Sequence, residues 1–349
     1  MPSNQKTGLS NQKTGPSPNP KTKKTYHLCL SSKEEVMFRS HEDFTRAYNY
    51  YALALHKTGS TGLADCFMSN HLHVVVQTSD PDKLMYAFRN SYARYFNYKY
   101  HRTGRLGDKK HFCIELDGLY HILAAISYTL RNPVHHGVTS TPFEYPHSAA
   151  NSIFREALGK NAKLNLLHKR NYHRFIGKQT IIPEHFMMSD NGTFLRRCTM
   201  DIQMVENFFT TPRAFNFYMT RKSGSEWIKE QENDNNNKPS ITLEMIEEWT
   251  GAKEWTSAKD SLASQSRESS ISRMLKNEYG RNDYRKITDI DLCSKIDNLV
   301  TTSLKKPSIK KPSIYTLTLD EKEFIAKIIT RDHHITTNQL CRCLAMRQI

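Results

Sequence analysis

Phe67 to Thr78 reads FMSNHLHVVVQT. Successive side chains of a strand point to opposite faces, so this run splits in two. Leu72, Val74 and Val76 form one clean apolar face, while His71, His73, Val75 and Gln77 form the other. The preceding stretch GLADCFMS (62–69) also reads as a strand, and polar Asn70 marks the join between the two. His71 and His73 would stand about 7 Å apart on one face. Two readings are open: half-exposed strand histidines, or two imidazoles that bend toward one cation.

Working outward, TYHLCLSS (25–32) alternates and predicts a strand. HEDFTRAYNYYALALHKTG (41–59) predicts a helix that ends at Gly59. DPDKLMYAFRNSYARYFNYKYHRTG (80–104) predicts a long helix with an Asp-Pro start and a stop at Gly104. KKHFCIEL (109–116) predicts a fourth strand and DGLYHILAAISYTLRN (117–132) a third helix. The order β-α-β-β-α-β-α predicts an α+β fold over 25–150, a ferredoxin-like antiparallel sheet with helices on one face.

The flanks differ in composition. Residues 1–24 repeat SNQKTG and predict a disordered basic tail. Residues 151–240 read as an irregular connecting region that ends in the polar linker QENDNNNKPS. Residues 241–349 read as mostly helical, with ITLEMIEEWTG, SSISRMLKNEYG and TDIDLCSKIDNLV, then a basic linker at 304–313. The closing TTNQLCRCL predicts a new helix after a short polar break, as in the first half of a helix-turn-helix.

Lys and Arg number 50 against 35 Asp and Glu, a net charge of +15. That excess points to a polyanionic partner, nucleic acid first, although a basic but ordinary soluble protein has the same balance. The seven cysteines are dispersed without C-x-x-C spacing, which suits a reducing compartment. No apolar run reaches the roughly 18–20 residues that span a bilayer, and no signal-peptide pattern opens the chain. A soluble cytoplasmic, nucleoid-associated protein with no membrane partner is expected.

In the third helix Tyr128 and Asn132 are four apart and share a face. A phenol and an amide there would meet both imidazoles if the helix packs beside the histidine strand. The alternative makes Tyr128 a core aromatic and Asn132 a helix-end residue before Pro133, where helical geometry is disfavoured. The helix 80–104 interleaves Arg94 and Lys99 with Phe88, Tyr92 and Tyr95, a composition that suits single-stranded DNA or a plain core stripe. Arg131, His135 and His136 around the Tyr128 helix are phosphate candidates, as are Lys109 and Lys110 on the fourth strand.

MSNHLHVVV followed by YTLRNPVHHGV resembles the HUH endonuclease superfamily, most closely the REP-associated tyrosine transposases. The resemblance covers about 25–150. It departs at FEYPHSAANSIF (143–154), where the family has a Trp-Ser-Ser-like segment and this chain has His147 and Ser148. It implies a divalent metal, Mg²⁺ or Mn²⁺, held by His71, His73 and Asn132. It implies Tyr128 as the nucleophile that nicks and rejoins single-stranded or hairpin DNA through a 5′-phosphotyrosine. Members occur as monomers and dimers, so a homodimer is one expected state. Two rivals share the fold: a DNA-binding regulator without catalysis, and a replication or relaxase nickase. The latter often has a second tyrosine three or four residues away, but positions 124, 125, 131 and 132 are Ala, Ala, Arg and Asn.

Overall fold

The computed structural model describes residues 22–157, 159, 165–220, 287–303, 312–332 and 335–346. The expected tail up to residue 21, the linker at 231–240, the helices at 241–251 and 269–280 and most of the linker at 304–313 lie outside the described residues.

The first seven elements follow the expected order. They are β1 (Lys24–Ser31), α1 (His41–Thr58), β2 (Thr61–Met68), β3 (His71–Thr78), α2 (Pro81–Tyr100), β4 (Phe112–Glu115) and α3 (Gly118–His135). The four strands form one sheet in the order β2-β3-β1-β4, with every neighbouring pair antiparallel. Local signals set the ends. Ser40 and Asp43 form a reciprocal capping box at the start of α1, and Gly59 closes it in the left-handed region at φ 63°. Asp80 caps α2 with Pro81 in its first turn.

Both faces of the sheet are covered, which corrects the expectation of helices on one face. Leu28, Leu30, Leu72, Val74 and Val76 pack with the apolar stripes of α1 and α2. On the opposite face Leu63, Ala64 and Val75 pack with Leu123, Ala125, Ile126, Tyr128 and Leu130 of α3. The histidines make that second face look polar in sequence. Its apolar half is supplied by β2 and by Val75, and is enough to seat a helix.

Three boundaries moved for physical reasons. Helix α2 stops at Tyr100, because His101 takes the left-handed conformation three residues before Gly104. Strand β4 begins at Phe112, not Lys109, because the preceding loop is tied to β1 differently. Asp108 N–H donates to Ser31 O and Ser31 Oγ to the Asp108 carboxylate, both as loop contacts. Helix α3 runs through Pro133 to His135. Proline there removes one backbone bond in the last turn. The turn is closed by His136 N–H to Asn132 O and Val138 N–H to Pro133 O.

Residues 151–220 are more than the irregular connector expected. They carry α4 (Ile202–Phe209) and α5 (Pro212–Thr220), whose Val205, Phe209, Phe215 and Met219 close over α3. Tyr172, Ile176, Phe186, Met188 and Phe194 enter the α1–α2 core from the same segment. Helices of eight and nine residues present barely two turns of pattern, which is why periodicity missed them. Asp65 of β2 and Arg196 fasten this segment by a buried, bidentate ion pair, with contacts of 2.7 to 3.2 Å.

The C-terminal elements are α6 (Asp289–Ser303), α7 (Leu319–Asp332) and α8 (Thr337–Leu344). They enclose a third core of Leu292, Ile296, Val300, Ile325, Ile329 and Leu344, which Val36 joins from the loop after β1. Arg39, 1% exposed, crosses this junction to Asp297 and to the Cys343 carbonyl, each at 2.7 Å. The helix expected at TTNQLCRCL is α8. Its Gln339 and Arg342 bind Asp289, so this face of α8 is turned inward on the chain itself.

Candidate active site

Strand β3 brings His71 and His73 to the face under α3, and the four-residue spacing on α3 answers them in register. The Tyr128 ring lies 5.2 Å from that of His73, edge-on at 89°. Asn132 Oδ1 lies 2.8 Å from His71 Nε2. Asn132 reaches His71 from within the helix, although Pro133 follows it. The four residues are therefore in one place, two on a strand and two on the helix that covers it.

Two members of the site come from β1. Cys29 is the register partner of His73, and His27 that of Val75, so both share the histidine face. His27 Nε2 is 3.1 Å from His73 Nδ1, with the rings parallel at 5.2 Å between centres. Cys29 Sγ is 3.8 Å from His73 Nε2. The alternation of TYHLCLSS already sets His27 and Cys29 on one face. Linking them to His73 needs the strand pairing, which the sequence pattern does not supply.

Burial keeps these imidazoles neutral. His27 is pushed down to about 3 by burial. His71 is pushed down to about 4, again chiefly by burial, against the opposing hydrogen bond of Asn132. His73 is held well below the ordinary histidine range by burial and then by the four neighbouring histidines. A neutral imidazole is the form that ligates a metal.

Both nitrogens of His71 face an amide oxygen, Asn70 Oδ1 at 2.9 Å from Nδ1 and Asn132 Oδ1 at 2.8 Å from Nε2, and a neutral ring can donate to only one of them. With the proton on Nδ1, the Nε2 lone pair would face Asn132 Oδ1, acceptor against acceptor, while Asn132 Nδ2 is buried with no partner. A half-turn of the Asn132 amide would satisfy both groups without an ion. As placed, the two acceptors suit a cation. Two adjacent ligands of an octahedral Mg²⁺ stand about 3.0 Å apart at metal–ligand distances of about 2.1 Å. Among the described residues no group of three or more His, Cys, Asp or Glu could hold a metal ion. The candidate set of two imidazoles and one amide would leave ligand positions open. The Asn132→Leu protein should bind Mn²⁺ at least about tenfold more weakly than wild type. An unchanged dissociation constant in a folded protein would remove Asn132 from the ligand set.

The remaining sequence candidates separate by location. His136 and His135 close the site from the end of α3, their rings 5.0 Å from His71 and 5.7 Å from Tyr128. Lys109 and Lys110 are exposed in the loop tied to Ser31, the register partner of His71, and so lie at the same end of the sheet. Arg131 is only 7% exposed, which corrects its reading as a surface phosphate contact. Helix α3 is enclosed between the sheet and the helices α4 and α5, so most of it has no open side. Lys99 is also corrected, while Arg94 stays exposed on the same helix, away from the histidines. Helix α2 lies across the sheet from the histidines, and Lys99 is bound to Ser40, Glu42 and Asp43. The aromatics Phe88, Tyr92 and Phe96 beside them are core.

No helix among the described residues is long and apolar enough to cross a membrane. No protein-family model matches the chain, and no curated protein does. Among solved structures the chain is similar to a REP-associated tyrosine transposase bound to a REP hairpin. The likeness has a TM-score of 0.35 at 10% identity and covers 42% of this chain and 88% of that one. A score that low does not establish a common fold.

Proposed function

We propose that the chain nicks and rejoins DNA strands through Tyr128, in the manner of the single-tyrosine HUH transposases, on single-stranded or hairpin DNA. The observation that carries this reading is the meeting of Tyr128 with His73, and of Asn132 with His71, across one helix–strand interface. The strand order β2-β3-β1-β4 is the arrangement we assign to a ferredoxin-like sheet.

His71 through Nε2, His73 and Asn132 through Oδ1 would hold Mg²⁺ or Mn²⁺. When bound, the ion neutralises a non-bridging phosphate oxygen. For His73 to ligate through Nε2, His27 Nε2 would accept from His73 Nδ1, 3.1 Å away. The Tyr128 oxygen attacks phosphorus in line, and the 3′-oxygen leaves and takes a proton from solvent, which yields a 5′-phosphotyrosine and a free 3′-OH. The phenolic proton passes to a neighbouring base, for which His135 is the candidate on the same helix. Attack by a second 3′-OH reverses the step and joins new ends without ATP. Lys109, Lys110 and His136, at the rim of the site, would meet the phosphates.

A DNA-binding protein on the same fold without catalysis is the second reading. It is favoured by one observation, that Tyr128 is 2% exposed and must be reached by substrate before it can act. Labelled hairpin DNA with single-stranded flanks and Mn²⁺ separates the two. A covalent adduct that resists denaturant and vanishes with excess EDTA is expected. Tight binding with no adduct would favour the regulator.

A further inference from the structure

The turn between β2 and β3 consists of Ser69 and Asn70, and Asn70 Oδ1 lies 2.9 Å from His71 Nδ1. Neither turn residue belongs to an apolar core, so polar bonds fix the position of the turn. Ser69 O accepts from the N–H groups of Met37 and Phe38, and Asn70 O accepts from Ser32 N–H. The side chain of Ser69 reaches the C-terminal helices. Its hydroxyl donates to Asp289 Oδ2 at 2.6 Å, at the first residue of α6. Asp289 is itself 8% exposed, and also receives Gln339 Nε2 at 2.9 Å and Arg342 through Nε and NH2 at 2.8 and 2.9 Å. Arg342 in turn accepts Val36 N–H on its carbonyl.

A carboxylate with that many charge-assisted partners is a rigid point. It belongs to a helical unit distant in sequence, yet bears on the residue two before His71.

We propose that Ser69 and Asp289 are positioning residues for His71, and that the C-terminal helices thereby complete the candidate active site. The bracket Arg342–Asp289–Ser69 fixes the turn, the turn fixes Asn70, and Asn70 holds the proton of His71 on Nδ1. The importance of this for catalysis rests on the reading of His71 as an ion ligand. The positioning itself does not.

The test uses the full chain free of metal, with the ring-nitrogen resonances of His71 and His73 as readout, followed by Mn²⁺ titration. Wild type should show His71 as a single tautomer protonated on Nδ1. In Ser69→Ala and in Asp289→Ala the His71 signals should move toward a mixture of tautomers while those of His73 stay. The Mn²⁺ dissociation constant should rise about tenfold. Should Asp289→Ala fail to fold, Ser69→Ala decides alone, because it leaves Asp289, Gln339 and Arg342 joined. An unchanged His71 pattern in folded Ser69→Ala protein overturns the proposal. If wild type takes up no Mn²⁺ but His71 still follows Ser69, the ion reading falls and the positioning stands.

Discussion

Tyr128→Phe is expected to abolish the covalent DNA adduct and leave DNA binding near the wild-type level. The substitution removes a single oxygen. The ring keeps its edge contacts with His73 and His27 and its neighbour His135. Folding should lose no more than about 1–2 kcal/mol, the cost of one hydrogen-bonding group. A phenyl ring cannot become an ester of phosphate, so the adduct falls to background at any metal concentration. The measurement pairs a denaturing gel for adduct with an equilibrium binding curve on the same hairpin. Adduct retained by the Phe protein would assign the nucleophile elsewhere. Loss of both adduct and binding, with an intact thermal transition, would make Tyr128 part of the DNA contact.

The largest expected effect on stability lies at Asp65 and Arg196. The Asp65 side chain is 1% exposed, and the Arg196 guanidinium sits over the Tyr48 ring at 4.6 Å. Asp65→Leu leaves a buried cation without its partner, and should cost about 3–5 kcal/mol in denaturant unfolding. Replacing both, as Asp65→Leu with Arg196→Met, should recover most of that loss, because the stranded charge is then gone. A single variant within about 1 kcal/mol of wild type would mean that water or another anion reaches Arg196. This pair joins β2 to the segment 165–220, so the single variant should also loosen that segment to proteolysis before the sheet unfolds.

The parts of the site that were legible in sequence are those that one element carries by itself. His71 and His73 share a face by the period of two. Tyr128 and Asn132 share a face by the helical repeat, even with Pro133 in the last turn. His27 and Cys29 were not legible, because their place beside His73 depends on which strand pairs with β3 and in what register. That Arg94 and Lys99 lie away from the histidines was not legible for the complementary reason. A helical stripe tells which side of α2 is buried but not which side of the sheet it covers, and α2 covers the side without the histidines. Arg131 failed because the helices that enclose α3 are too short to be read from pattern. The bracket on Ser69 joins residues far apart in the chain, and no local signal marks it.

Arg39 lies 304 positions before the Cys343 carbonyl that it binds. At translation rates of about 5–20 residues per second, roughly 15–60 s separate the synthesis of the two. Strands β1 to β4 pair among themselves and have long left the ribosome by then. Until Asp297 and then this carbonyl are made, a guanidinium destined for the interior lacks its partners and must remain hydrated. The bracket on the turn beside His71 likewise forms in stages, with Asp289 of α6 made first and its partners Gln339 and Arg342 only with α8. A chain cut short before α8 would keep its histidines, its tyrosine and Asp289, but without the Gln339 and Arg342 contacts that hold Asp289.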